Sequence, residues 1–159
     1  MEKDSPMRQM YHSVGFTLVE LMIVVAIVGI LSAVAYPSYV RNIEGSRAND
    51  AQGGLVSFAN AMEKRYARQN SYMGAAAGGA NTGAPAANLF PSQLPIDGNR
   101  KYYDLTITVA AVNAFTLRAT PINAQVGTGI LELDSTGARR WDRAPTDGAF
   151  VGAVENSWD

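Results

Sequence analysis

The chain has 159 residues with no cysteine, its only histidine is His12, and its formal net charge at pH 7 is −1. This length allows one modest domain beside a membrane segment, and near-neutrality gives no general argument for nucleic-acid binding beyond a local basic patch. Because no residue after His12 is histidine or cysteine, the rest of the chain excludes thiol and imidazole catalysis, zinc sites built from those side chains, and disulfides.

Residues 1–15 form a polar leader ahead of the first apolar run. The leader carries two acidic and two basic residues, so removing it leaves the net charge unchanged. Met1, Met7 and Met10 are all possible starts, and a start at Met7 leaves a shorter, net-basic leader.

A nearly unbroken apolar run covers residues 18–35, which is long enough to cross the ~30 Å hydrocarbon core of a bilayer as a helix. Glu20 is its single ionisable residue, and a carboxylate costs on the order of 2.5–3.5 kcal/mol at the centre of a membrane helix. No basic residue follows within the run, so the partner of Glu20 is expected at the chain's own end or on another molecule. Pro37 lacks an amide hydrogen, and a helix kink is expected there.

Three other interpretations of this run are open on the residues alone. A cleaved secretory signal would use Ala33 and Ala35 as its small-residue cleavage site, but the leader is not basic and Glu20 breaks the apolar region. A plain single-pass anchor explains the length and leaves Glu20 unexplained. A buried core helix does not need so many uninterrupted apolar positions.

The apolar run begins within a motif that resembles the N-terminus of type IV pilins and the related pseudopilins: Gly15, Phe16, Thr17, Leu18, Val19 and Glu20, with Pro37 after the run. The resemblance implies that a prepilin peptidase cleaves after Gly15 and methylates the new amino group of Phe16. It also implies that Glu20 pairs with the Phe16 amine of a neighbouring subunit during assembly. Residues 16–36 are then the transmembrane and assembly helix.

After Pro37 the pattern becomes amphipathic, with mainly apolar residues at three- and four-residue spacing. This stripe predicts that the helix continues over residues 37–68 as an amphipathic half that packs on a globular domain. Its members are Val40, Ile43, Arg47, Ala51, Leu55, Phe58, Met62 and Tyr66. Residues 69–101 are predicted to be a surface connecting loop that contacts neighbouring molecules.

Alternating apolar and polar residues predict antiparallel strands within residues 102–159. The predicted runs are residues 102–109, 115–120, 130–134 and 138–142. A three- to four-stranded antiparallel sheet packed on the long helix gives an α+β fold, which is also the fold that the resemblance implies.

The strand region further resembles minor pilins of the PilE type. Those pilins usually have Cys-Gly where this chain has Thr128-Gly129, and Cys-Trp where it has Ser157-Trp158. The resemblance therefore places the usual disulfide between the positions held here by Thr128 and Ser157. Without that bridge the tail has to close by packing, and we expect Trp158 to cap the core beside Leu131 and Leu133, with Trp141 near the same cluster. The other apolar residues of the tail are Phe150, Val151 and Val154.

Arg139, Arg140 and Arg143, with Trp141 between them, form a small basic cluster in the last predicted strand. The cluster could contact DNA phosphates and stack a base, although a sheet edge protected by charge explains the same residues more simply.

Oxygen ligands for calcium are also present near the C-terminus, without EF-hand spacing: Asp142, Asp147, Glu155 and Asn156. Solvated surface acids are the simpler interpretation of these residues. We predict no metal site, cofactor or catalytic residue, and no enzymatic activity.

The resemblance implies a structural subunit of a type IV pilus, and more specifically a minor pilin. It places the unassembled subunit in the bacterial inner membrane with its globular part in the periplasm, and the assembled one in a surface fibre. The implied partners are other pilin subunits, prepilin peptidase and the inner-membrane assembly machinery, and the implied roles are pilus assembly, twitching motility and adhesion. A type II secretion pseudopilin and a DNA-binding pilin of DNA uptake are the alternatives.

Overall fold

The computed structural model describes residues 15–143 and Trp158. The predicted leader up to residue 14 lies outside the described residues, as do the predicted tail contacts Phe150, Val151, Val154 and Ser157 and the calcium candidates Asp147, Glu155 and Asn156. The chain divides into two compact units, Met1–Val40 and Arg41–Asp159. We call the second unit the head.

One helix, α1, covers Leu18–Gln69 and contributes residues to both units. It continues through Pro37, as the amphipathic pattern after that proline predicted. Its first part is long and apolar enough to cross a membrane, with a mean hydropathy of 2.7, and none of that segment is buried. The apolar surface of residues 18–35 is thus not covered by any described part of the chain.

Within the head, α1 presents one buried stripe at helical spacing: Ala48, Ala51, Leu55, Phe58 and Met62. These residues belong to a single buried cluster that also contains the inward-facing residues of the sheet. The predicted amphipathic half is therefore confirmed, and its apolar face forms the helical layer of the core.

The sheet has five antiparallel strands in sequential order. They are β1 (Gln93–Leu94), β2 (Tyr103–Ala110), β3 (Phe115–Pro121), β4 (Ile130–Asp134) and β5 (Arg139–Asp142). On β2, buried Tyr103, Leu105 and Ile107 alternate with half-buried residues. This alternation places one face of the sheet in the core, and the α+β architecture is confirmed.

The predicted strand count was wrong by one strand, because β1 lies inside the segment predicted to be a loop. A two-residue strand has no alternation that a sequence pattern can reveal, and Pro95 follows it directly. Gly54 on α1 permits its approach, since a Cβ at that position would lie 2.4 Å from Leu94 Cδ1.

The connection between α1 and β2 is also more buried than predicted. Ala75 and Ala76 are fully buried in the core cluster, and Gly83 forms an isolated antiparallel bridge with Ile107 of β2. Small side chains let this backbone pack closely, which is why a composition typical of a flexible surface loop was misleading.

Trp158 is docked on the head. Only 7% of its surface is exposed, and it lies in the same buried cluster as Trp141, Leu131 and Leu133. Its indole Nε1 donates to the Arg140 carbonyl at 3.2 Å, and its own carbonyl accepts from Gln52 Nε2 at 3.2 Å. The expected capping of the core by this tryptophan is confirmed.

Candidate functional sites

The N-terminus of α1 carries a reciprocal capping arrangement. Glu20 Oε2 accepts hydrogen bonds from the Thr17 amide (2.9 Å) and from Thr17 Oγ1 (2.7 Å), and Thr17 Oγ1 accepts from the Glu20 amide (3.2 Å). The Thr-x-x-Glu spacing is the sequence signature of such a capping box.

Thr17 therefore supplies neutral hydrogen-bond donors to Glu20, and the expected pairing with a charged amine stays a prediction. Within the family motif, the Thr-x-x-Glu spacing is the sequence signal for this contact. The bonds use Oε2 alone, and the helix N-terminus adds a favourable field for a negative charge. The carboxylate is therefore partly satisfied within its own subunit while Oε1 takes no part in the box.

The predicted cleavage bond lies in non-helical backbone just before α1 begins at Leu18. Both flanking residues are exposed, Phe16 by 81%, and a Cβ added to Gly15 would meet no atom within 4 Å. Nothing in the described fold requires glycine at position 15. A requirement for glycine there has to come from an external partner such as a peptidase.

The predicted basic cluster of β5 is split by the strand's alternation. Arg140 donates to Asp134 Oδ2 at 2.9 Å and lies 4.0 Å from Glu132 Oε2. The other oxygen of that carboxylate, Glu132 Oε1, pairs with Arg118 at 2.8 Å. Although partial burial opposes it, hydrogen bonds from Thr136 and Ala138 and the Arg140 charge lower the pKa of Asp134.

Trp141 does not offer an exposed ring for stacking a base, so that part of the prediction was wrong. It pairs with Leu131 across β4 and β5 and is only 9% exposed. Arg143 stacks on this ring with its guanidinium carbon 3.9 Å from the centroid, and Arg139 lies 4.9 Å from the Trp158 centroid. Both arginines remain exposed to solvent.

Among the described residues, no group of three or more acidic, histidine or cysteine side chains is arranged to hold a metal ion. Of the four calcium candidates only Asp142 is described, and it is buried in β5.

Two family models match the chain. One is described as "Type IV minor pilin ComP, DNA uptake sequence receptor" and matches residues 37–129. The other, "Prokaryotic N-terminal methylation motif", matches residues 15–36. The first match covers most of the head, and the second covers the apolar run with its preceding motif.

Several curated pilins are similar over the N-terminal part. The type IV major pilin protein PilA of Myxococcus xanthus is 40% identical over 58 residues, which are 36% of this chain and 26% of PilA. The type IV major alpha-pilin of Moraxella bovis is 47% identical over 49 residues (31% of each chain), and FimA of Dichelobacter nodosus is 55% identical over 53 residues (33% and 31%). The matches thus span about a quarter to a third of these relatives.

Among solved structures, the chain is similar to the non-core minor pilin PilV of Neisseria meningitidis. The alignment covers 67% of this chain and 93% of PilV, with 16% identity and a TM-score of 0.46.

Proposed function

The chain belongs to the family of type IV minor pilins, whose model covers residues 37–129, and from this premise we propose how it matures, is stored and is assembled. The observation that carries the proposal is the bare apolar surface of residues 18–35, a helix that no described residue covers. Such a surface needs a bilayer or neighbouring helices around it. A pilin subunit occupies both environments in turn, first the membrane and then the fibre.

Maturation is proposed to occur between Gly15 and Phe16, with methylation of the Phe16 amine. An exposed bond in non-helical backbone supports this, since a peptidase binds its substrate in an accessible segment. Gly15→Val is expected to block processing by the peptidase. It should leave the fold intact, because the position has open space around it.

Glu20 is proposed to change partners during assembly. In the stored subunit, Thr17 donates two hydrogen bonds to its carboxylate, which lowers the cost of holding the charge in the bilayer. In the fibre, the Phe16 amine of a neighbour supplies an opposite charge, so its hydrogen bond to Glu20 gains a Coulomb attraction that the neutral Thr17 donors lack. This exchange of partners would stabilise one register of docking between neighbouring subunits.

Comparing sheared pili with membranes tests this exchange. Glu20→Val removes the carboxylate, so membrane insertion should remain and incorporation into pili should fall. Thr17→Ala keeps the carboxylate and removes its hydroxyl donor, so incorporation should persist while the membrane pool becomes less stable. Unchanged incorporation of Glu20→Val would remove the assembly role.

We place the unassembled subunit in the inner membrane with its head in the periplasm, in contact with prepilin peptidase and the assembly machinery. Pro37, inside α1, is proposed to kink the helix. Twitching motility and adhesion are the expected consequences of the fibre, and no catalytic role is proposed. Deleting the gene should impair twitching and leave protein secretion intact, whereas a type II secretion pseudopilin would show the reverse.

A second candidate function is DNA binding during uptake, which the description of the matching family favours. Arg139 at the start of β5 and Arg143 just after its end are exposed, whereas Arg140 is half-buried beside Asp134. We therefore expect the double variant Arg139→Ala, Arg143→Ala to weaken DNA binding and to reduce the salt slope by about one per lost phosphate contact. Arg140→Ala is the matched control and should change binding less. Equal DNA binding by the unchanged protein, the double variant and Arg140→Ala would exclude these arginines as the DNA contact.

A further inference from the structure

An exposed valine of the head, Val126, lies in the sequence between residues that line two clefts with basic side chains. Val126 follows the short 3-10 turn Asn123–Gln125 and has 71% of its surface exposed. The turn is anchored to α1, because the buried Gln125 side chain donates from Nε2 to the Glu44 carbonyl at 2.8 Å. A buried contact thus supports the turn from which this apolar side chain projects.

The first cleft has a volume of about 370 Å³ and none of the described residues lining it is acidic: Arg47, Asn99, Arg100, Lys101, Tyr102, Asn123 and Ala124. The Arg47 guanidinium carbon lies 3.9 Å from the centroid of the Tyr102 ring. Lys101 Nζ donates to the carbonyls of Pro95 (2.6 Å) and Ile96 (3.0 Å). Neutral groups therefore hold these two cations in place without cancelling their charge.

The second cleft has a volume of about 320 Å³, and its lining includes Gly127 and Thr128, which follow Val126 in the sequence. Among the described residues, its lining includes the exposed Arg41 and Arg143 and one acidic residue, Glu44. We call Arg41, Arg47, Arg100 and Lys101 the basic rim. The rim is built from α1 and from the segment before β2, so no single stretch of sequence shows it.

The short segment between the apolar run and Arg41 limits how far this residue of the basic rim can lie from the bilayer. Five residues, 36–40, separate the end of the apolar run from Arg41. The six Cα-to-Cα steps from residue 35 to Arg41 span at most ~22 Å even when fully extended. With the apolar run in a membrane, Arg41 stays within that distance of it, and Glu44, which Gln125 contacts, follows three residues later.

We propose that the basic rim and Val126 dock the head of the unassembled subunit onto the bilayer that holds its apolar run, with anionic lipid phosphates as the partner. This inference rests on the proposed membrane-inserted prepilin. Each basic residue near an anionic surface strengthens association roughly fivefold, and arginine and lysine stems with an apolar side chain suit the interface. DNA phosphates share the same chemistry, but the exposed valine and the short reach to the membrane favour the lipid.

The absence of cysteine allows a direct test on the full chain in vesicles. Ala124→Cys places a fluorescent label on the turn beside Val126, and Val112→Cys places one in the β2–β3 connection, where Val112 is 52% exposed. Vesicles contain phosphatidylcholine alone or an equal mixture with phosphatidylglycerol. In the anionic vesicles only, the accessibility of the label at position 124 to an aqueous quencher should fall by a factor of roughly five or more. The label at position 112 should be accessible in both kinds of vesicle.

Two variants probe the rim. Changing Arg41, Arg47, Arg100 and Lys101 to Gln should abolish the shielding at position 124, whereas the matched control Lys64→Gln, Arg68→Gln on exposed positions of α1 should retain it. Val126→Ser keeps every charge and should reduce the shielding, which guards against misfolding of the quadruple variant.

Equal accessibility of position 124 in both kinds of vesicle would overturn the docking. Shielding that requires added double-stranded DNA and ignores lipid charge would also overturn it and would assign the rim to DNA. A chain that floats with the vesicles but shows no shielding refutes only the docking. A chain that fails to float refutes the proposed membrane-inserted prepilin itself.

Discussion

Removing the Trp158 side chain tests how this head closes its tail without a disulfide. Trp158→Ala deletes an almost fully buried indole and leaves the Arg140 carbonyl without that donor. Tryptophan-to-alanine changes in cores cost ~3–5 kcal/mol. We take ~3 kcal/mol as the smallest expected loss of stability. At roughly 4 °C per kcal/mol for a domain of this size, the melting temperature should fall by about 12 °C.

The assay is thermal and urea unfolding of a fragment that begins at Arg41, the first residue of the head, followed by far-UV circular dichroism. Trp158→Phe is the control, since it keeps an aromatic ring, loses the indole hydrogen bond and should cost only ~1 kcal/mol. Identical unfolding midpoints for Trp158→Ala and the unchanged protein would refute the docked tail.

Three further predictions concern the sheet and its tail. Thr128→Cys with Ser157→Cys should oxidise in the periplasm and stabilise the head by ~2–4 kcal/mol; two free thiols by mass spectrometry would contradict it. Gly129→Ala should destabilise the head more than Gly127→Ala, because both have positive φ but only a Cβ at 129 would clash, 2.4 Å from Trp141 Nε1; equal melting temperatures would contradict the clash. The lowered pKa of Asp134 means that its ionised form stabilises the head above the ordinary carboxyl pKa, and that this contribution is lost as the pH falls through the lowered value. Asp134→Asn should therefore flatten the acid side of the stability profile, and an unchanged profile would count against the Asp134 contacts.

Periodicity predicted the regular elements because each is long enough to repeat. The amphipathic stripe identified the helical layer of the core, and the alternation in residues 102–109 lies within one residue of β2. β1 has only two residues, and its Leu94 side chain packs against Gly54, forty residues earlier on α1. Contacts so distant in sequence leave no local pattern.

The candidate sites show the same difference between local patterns, which are visible in the sequence, and contacts between distant segments, which are not. The motif around Gly15 and Glu20 was recognisable as a string, but the bond between Thr17 and Glu20 required its spacing to be interpreted as a helix cap. The stacking role predicted for Trp141 was wrong, because strand alternation buries this residue beside Leu131. Its expected place near the Trp158 cluster is confirmed. The basic rim was missed because its members come from separate segments.

The intact mass of the protein recovered from sheared pili tests the pilin assignment most directly. We expect a chain that begins at Phe16, in the exposed backbone just before α1, and that carries one additional methyl group. A mature chain that begins at Tyr36, as a secretory signal would leave, or a protein absent from the pilus fraction, would contradict it.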